Sequence, residues 1–283
     1  MAKIIEYFKF IKFSHTVFAL PFALIGFFLA AKNNTINWEI LIYVLLCMVF
    51  ARTAAMAFNR YLDRDIDAKN PRTANRHIPQ GIISPKNALI FVIINSLLFI
   101  CCTLLINKLV FYLSFVALAI ILGYSYTKRF TPLSHLILGL GLSLAPIGAY
   151  LTLIPHFDLI PILFSVVVLF WVSGFDIIYS LSDYEFDLKH NLKSIPVFMG
   201  KKNALKFSAF LHFLSAITLI IIGIIAKFSI IYWIGASIFI ILLIYQHYIV
   251  KPNDLSKVNF AFFNLNGYAS VILATFTIWE LLK

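Results

Sequence analysis

The stretch Asn59-Arg-Tyr-Leu-Asp63-Arg-Asp-Ile-Asp67 closes a long apolar run, and its reading decides how the rest of the chain is understood. It is answered far downstream by Asp176-Ile-Ile-Tyr179-Ser-Leu-Ser-Asp183-Tyr-Glu-Phe-Asp187. On a continuous helix, Asn59, Asp63 and Asp67 advance by only about 40° per step and share one face. Asp176, Tyr179, Asp183 and Asp187, at offsets of 0, 3, 7 and 11, share a face as well. Of the 12 acidic residues in the chain, seven lie in these two segments.

Carboxylates stacked a helical turn apart repel by up to about 4 kcal/mol per pair at contact distance and an effective dielectric near 20. Two such faces brought together need cations between them. A hard divalent ion, Mg²⁺ above all, takes oxygen ligands and keeps room for substrate phosphates. The plainer alternative is a set of solvated helix-end carboxylates, which is how Asp65 and Glu185 are read. The same spacing repeated in a chain so poor in acids favours a metal–diphosphate site.

Composition sets the class. The 283 residues are 61% hydrophobic and only 12% charged, against roughly 25% charged in soluble domains. Apolar runs of about 20 residues recur, the mark of transmembrane helices. We expect an all-α, polytopic membrane protein with about nine spans, near 14–31, 38–62, 86–107, 109–127, 132–151, 159–182, 204–224, 229–250 and 259–282. Tight hairpins are expected between 86–107 and 109–127 and between 204–224 and 229–250. Pro21, Pro132 and Pro146 are expected to kink or cap helices. The first run leads into further spans and is read as a retained helix, not a cleaved signal. Cys47, Cys101 and Cys102 lie in apolar runs with neither disulfide nor zinc spacing.

The net charge of +11 does not require a nucleic-acid partner, because the basic residues sit in short loops between spans. With the N-terminus in the cytoplasm, eighteen Lys and Arg fall on the cytoplasmic side and four on the other, the asymmetry that sets topology. Both acidic segments then lie at cytoplasmic helix ends, beside the loops 63–85 and 183–203, and each runs into a basic, Pro-containing loop. This reads as a duplicated unit: one cytoplasm-facing cavity, two acidic walls and basic lids, in a single domain spanning 1–283.

Arg72 and Arg76, in a loop structured by prolines and Gly81, offer planar donor forks for diphosphate oxygens. Tyr124 and Lys128 share a helical face at the cytoplasmic boundary, whereas Tyr126 and Arg129 read as interfacial anchors. Arg52 lies two turns deeper than Asn59 on the same face. An intramembrane arginine is costly and faces a cavity or a partner. It either holds the carboxylate of a bound substrate or pairs with a helix carboxylate such as Asp176. His15 reads as an interface histidine, and Asp158 as a solvated far-side residue. A cation-coupled transporter is the competing class, but transporters keep their charges near the bilayer midplane. A structural membrane subunit leaves the paired acidic segments unexplained.

With these residues assembled, the chain resembles the UbiA superfamily of membrane prenyltransferases along essentially its whole length. Asn59, Asp63 and Asp67 match the first aspartate-rich motif, and Asp176, Tyr179, Asp183 and Asp187 the second. Arg72 and Arg76 match the basic first-loop positions, Tyr124 and Lys128 a Tyr-x-x-x-Lys element, and Arg52 a cavity arginine. Phe13-Ser-His15-Thr-Val-Phe-Ala-Leu-Pro21, Asn70-Pro-Arg-Thr and Asp176-Ile-Ile-Tyr-Ser look like the 4-hydroxybenzoate polyprenyltransferase branch. Within it they look closest to members acting on a dihydroxynaphthoate in the futalosine-type menaquinone route. Arg60 departs from the pattern, since many members carry Asp after that Asn.

The resemblance implies transfer of a polyprenyl group from its diphosphate to a hydroxylated aromatic acid, in ubiquinone or menaquinone synthesis. The setting it implies is a bacterial inner membrane, with the bilayer and the two substrates as partners and no obligate protein partner. An acceptor of another kind, such as haem, is the alternative within the family. The implied roles are Asp63, Asp67, Asp183 and Asp187 as Mg²⁺ ligands, and Arg72, Arg76, Tyr124 and Lys128 on the diphosphate. Asn59, Asp176 and Tyr179 would be catalytic, and Arg52 and Asn59 would bind the acceptor.

Overall fold

The computed structural model describes residues 2–12, 18–32 and 36–283, with side chains from residue 6 onward; His15 lies outside this set. The architecture is all-α, and among the described residues no strand forms beyond an isolated bridge between Lys251 and Asp254. A short α1 (Ala2–Phe10) precedes α2 (Leu20–Ala31), α3 (Trp38–Leu62) and the six-residue α4 (Arg64–Lys69). Then follow α5 (Pro85–Ile106), α6 (Lys108–Thr127), α7 (Ser134–Tyr150), α8 (Leu159–Ser180) and the six-residue α9 (Tyr184–Lys189). The chain ends with α10 (Ile195–Ile225), α11 (Ile230–Ile249), α12 (Val258–Phe260), a π turn at Ala261–Leu265 and α13 (Asn266–Leu282).

Among the described residues, seven segments are long and apolar enough to cross a membrane, and the shorter apolar helices α2 and α7 occupy the places expected for the first and fifth spans. The protein is therefore a multi-pass membrane protein. Local chemistry sets the helix starts. Asn37, Ser84, Asn107 and Ser194 accept hydrogen bonds from the backbone N–H three residues on, and Pro85 and Pro196 sit in first turns where no donor is lost. Asn107 alone separates α5 from α6, and its Nδ2 also donates to the carbonyls of Leu151 and Thr152, so the hairpin end is tied to α7.

At the centre is α8, flanked by α7 and α10. Its Phe164, Val167, Val168, Trp171 and Val172 are fully buried against α2, α10, α11 and α13. Small residues permit these crossings. A Cβ added at Gly26 would lie 2.0 Å from the carbonyl oxygen of Pro146, a backbone atom that cannot rotate away. Gly26→Ala is expected to cost about 1–3 kcal/mol by overpacking, read as a lowered melting temperature of the detergent-purified protein. An unchanged Tm would show that α2 and α7 part freely.

The two acidic segments are built alike, though not as continuous helices. The first helix stops at Leu62, and Asp63 (φ −86°, ψ 3°) hinges it onto α4. The second stops at Ser180, and a 3₁₀ turn ending at Asp183 (φ −102°, ψ 3°) hinges it onto α9. This corrects the expectation of one unbroken face in each segment. The duplication itself is closer than spacing alone suggests: long helix, hinge at an aspartate, six-residue helix ending in lysine.

Candidate active site

Both hinges, the loop after α4 and the start of α7 converge on a cavity of about 220 Å³ at one end of the bundle. Asn59, Asp63, Asp67, Arg72, Arg76, Tyr124, Lys128, Asp176, Tyr179, Asp183 and Asp187 all line it. Of the residues expected to form the site, Arg52 alone does not. Asp65 and Glu185 face outward with side chains 81% and 77% exposed, as their place on the opposite helical faces requires.

Three of the aspartates meet cations in the cavity. Arg72 grips Asp183 through Nε at 2.8 Å and a shorter Nη2 contact, and its Nη1 donates to the Tyr179 hydroxyl at 2.7 Å. Arg76 Nη1 donates to both oxygens of Asp67 at 2.7 Å. Lys128 Nζ reaches Asp63 Oδ2 at 2.5 Å, and Asn59 Nδ2 donates to the same oxygen at 3.1 Å. Burial pushes the Asp63 carboxyl above the usual carboxylate range, against the pull of Lys128. Burial also works against the Arg72 charge, but Asp183 and Tyr179 outweigh it and hold the guanidinium above its ordinary value.

Arg52 stands apart from the cavity lining. Its Nη1 and Nη2 donate at 3.2 Å to the carbonyls of Ile11 and Lys12, so two arms of the fork expected to hold a substrate carboxylate close the end of α1. Among the described residues Arg52 makes no ion pair with Asp176. The partner of Asp176 is His135, whose Nδ1 lies 2.7 Å from Oδ2. His135 was not legible in sequence as a site residue; the only signal was a polar side chain opening an otherwise apolar helix. Asn70, which begins Asn70-Pro-Arg-Thr, belongs to the site as well: its Nδ2 donates to Asp183 at 3.0 Å. Arg129 does more than anchor an interface, since its Nη2 donates at 2.7 Å to the carbonyl of Leu62 and caps α3.

Behind the polar mouth lies an aromatic wall. Tyr179 stacks on Phe262 with centroids 4.1 Å apart, and Phe175 and Phe18 pack edge-on against Phe262. The π turn aims Phe262 there. Asn266 supports it by donating from Nδ2 to the carbonyls of Ala261 and Phe262, while its Oδ1 accepts from Trp171 and Gln246.

The donor chemistry fits a divalent cation that shares its shell with a phosphate. Every acidic lining group is an oxygen donor, and Asp63 Oδ1 is buried without a hydrogen-bond partner. Among the described residues no three His, Cys, Asp or Glu side chains form a ready metal cluster; Mg²⁺ is commonly held by one or two carboxylates, with substrate oxygens completing its shell.

Comparison with known proteins agrees with this geometry. The profile of the UbiA prenyltransferase family matches residues 19–268. A 4-hydroxybenzoate octaprenyltransferase of Francisella tularensis subsp. tularensis (strain FSC 198) is 31% identical over 226 residues, covering 80% of this chain and 79% of that one. One from Haemophilus ducreyi is 30% identical over 239 residues, covering 84% and 86%. The apo structure of a UbiA homologue from Aeropyrum pernix K1 superposes with a TM-score of 0.85 at 31% identity, covering 95% of this chain and 98% of that one. A UbiA homologue from Archaeoglobus fulgidus bound to DMAPP and Mg²⁺ shares the fold at 22% identity and a TM-score of 0.72, covering 95% and 99%. Sequence, fold and cavity lead to one conclusion: this chain is a member of the UbiA prenyltransferase family.

Proposed function

We propose that this protein transfers a polyprenyl group from a polyprenyl diphosphate to a hydroxylated aromatic acid in respiratory quinone synthesis, releasing diphosphate. The observation that carries this reading is the meeting of both acidic hinges and the arginines of the first loop on one cavity. The relatives named 4-hydroxybenzoate octaprenyltransferase support the substrate classes, and the Mg²⁺-bound homologue supports the metal. Eighteen basic residues on one side against four on the other support a cytoplasmic-membrane placement with the site facing the cytoplasm.

Asp63, Asp67, Asp183 and Asp187 would hold Mg²⁺, which when bound neutralises the charge that builds on the leaving diphosphate. Arg72, Arg76, Tyr124 and Lys128 bind and orient the diphosphate, with the loops 63–85 and 183–203 capping it. As the allylic C–O bond breaks, its electron pair leaves with the diphosphate and a prenyl cation remains. Tyr179, Phe262 and their aromatic neighbours steady that cation and exclude water. Asn59 accepts a hydrogen bond from the acceptor hydroxyl and aims the neighbouring ring carbon, which forms the new C–C bond. Asp176, oriented by His135, takes the ring proton as aromaticity returns.

The test is diphosphate release from detergent-purified protein given a polyprenyl diphosphate, Mg²⁺ and a panel of hydroxybenzoates and dihydroxynaphthoates. The expected result is release that requires the metal and one acceptor class, with a prenylated acid as product. No prenylated acid from any acceptor in the panel would overturn the reading.

A further inference from the structure

The last helix of the chain is wound more widely at one place, and that place faces the aromatic wall. α12, the π turn and α13 run as one segment of 25 residues, Val258–Leu282, with the wide turn at Ala261–Leu265. A π turn is rare and adds one residue to the α-helical register. Without it, the chain before the turn would rotate by about 100° around the helix axis. Phe262 would then leave Tyr179, on which it stacks with centroids 4.1 Å apart.

Asn266 holds this turn. It is 0% exposed, and its amide uses both of its donors and both of its acceptor sites. Nδ2 donates to the carbonyls of Ala261 and Phe262 at 3.1 and 3.0 Å. Oδ1 accepts from Trp171 Nε1 at 2.9 Å and from Gln246 Nε2 at 2.8 Å. An amide turned over would lose all four bonds, so its direction is fixed. Trp171 stands on α8, the helix that carries Tyr179. One buried side chain therefore ties the wide turn to the helix whose tyrosine the turn supports. From Tyr179 the link reaches the polar mouth, because Arg72 lies over that ring at 5.0 Å and donates to its hydroxyl.

We propose that Asn266 is a positioning residue for prenyl transfer: through the π turn it keeps Phe262 against Tyr179, and so decides whether the acceptor ring or water takes the prenyl cation. This rests on the prenyl-transfer reading above. With the wall in place, the allylic carbon bonds to the acceptor ring, which then loses its proton. With the wall loosened, a water oxygen bonds to the same carbon and gives up a proton to solvent, and a prenyl alcohol is the product. Diphosphate leaves with its electron pair in both cases. The ratio of alcohol to prenylated acid thus reports the fate of the cation separately from the rate of its formation.

The experiment measures that ratio with a polyprenyl diphosphate labelled in its prenyl group, Mg²⁺ and the acceptor that the panel above selects. The proteins are the wild type, Asn266→Ala, Asn266→Ser, Phe262→Leu, the double variant Asn266→Ala with Phe262→Leu, and Gly223→Ala. The last is a control for loosened packing elsewhere: a Cβ at Gly223 would lie 2.7 Å from the Trp233 ring. Asn266→Ala is expected to raise the ratio roughly three- to thirtyfold, the weight of one cation–π contact. Phe262→Leu should raise it as much, and the double variant no further, since both changes act on one contact. Asn266→Ser should recover part of the wild-type ratio, because its hydroxyl can donate to the carbonyl four residues back. Gly223→Ala should lower the Tm and leave the ratio within about twofold, as a distant and independent site does.

An unmoved ratio in Asn266→Ala, a double variant well above Phe262→Leu, or an equal rise in Gly223→Ala would each overturn the inference and leave prenyl transfer standing. If Asn266→Ala does not fold, Asn266→Ser is judged by the same ratio, expected to lie above wild type. If neither folds, Asn266 is a structural residue only and the inference falls. A wild type that forms neither prenylated acid nor prenyl alcohol would overturn the prenyl-transfer reading, and this inference with it.

Discussion

Asp183→Ala is expected to abolish prenyl transfer while the helical bundle stays folded. Asp183 stands at the second hinge, where it accepts from Arg72 and Asn70, and in the proposed site it exchanges part of that bonding for the metal. Removing one preorganised contact to charge developing in a transition state typically costs about 10²–10³ in rate. Loss of a metal ligand should reach at least that. Stability should change little: the Arg72 and Asp183 side chains are 34% and 19% exposed, and pairs this open to water are worth about 1 kcal/mol or less. Arg72 keeps the Tyr179 hydroxyl as a partner. Steady-state diphosphate release and a melting curve on the same preparation separate the two effects. Excess EDTA should reproduce the loss in the wild type, and added Mg²⁺ should reverse it. Turnover within about tenfold of wild type in the variant, or full activity in EDTA, would remove the metal from the mechanism.

Lys128→Met is expected to be the most destabilising single change at the site. Asp63 is 2% exposed, and Lys128 is its closest cation; Arg129 stands at 3.5 Å from the other oxygen. Breaking a buried pair by deleting one partner costs about 3–5 kcal/mol. The lower end applies here, because Lys128 is itself 30% exposed and Arg129 remains. The loss should depend on pH in a definite direction. Burial already raises the Asp63 carboxyl above the ordinary range, with Lys128 opposing it. Between the ordinary and the raised value the folded chain keeps a proton that the unfolded chain has released, so stability falls as pH rises through that window. Without Lys128 the window widens upward, and the variant should regain stability in mild acid. Asp63→Asn added to Lys128→Met should restore much of the Tm at neutral pH and none of the activity. A double variant whose Tm loss is the sum of the two singles would show that the pair is not coupled.

Much of this was legible in the chain itself. Runs of about 20 apolar residues need no partner to announce a membrane span, since a helix alone satisfies its backbone in lipid. The acidic clusters stood out because charge is so scarce here, and they do meet across one cavity. Hinges were not legible: Asp63 and Asp183 read as further turns of a helix, because spacing carries no sign of where backbone geometry changes.

The partners of the buried cations were illegible for a related reason. Periodicity placed Arg52 and Asn59 on one face and offered Arg52 either a substrate carboxylate or Asp176 as partner, while Arg60 stood out only as a departure from the family pattern. Sequence alone determined the membrane class and the oxygen-rich donor set, because these follow from residue type and period. Only the tertiary structure decided what satisfies Arg52. That depends on where the carbonyls of α1 lie, 41 residues away from Arg52, and a hydrogen bond over such a separation is set by packing and not by local pattern.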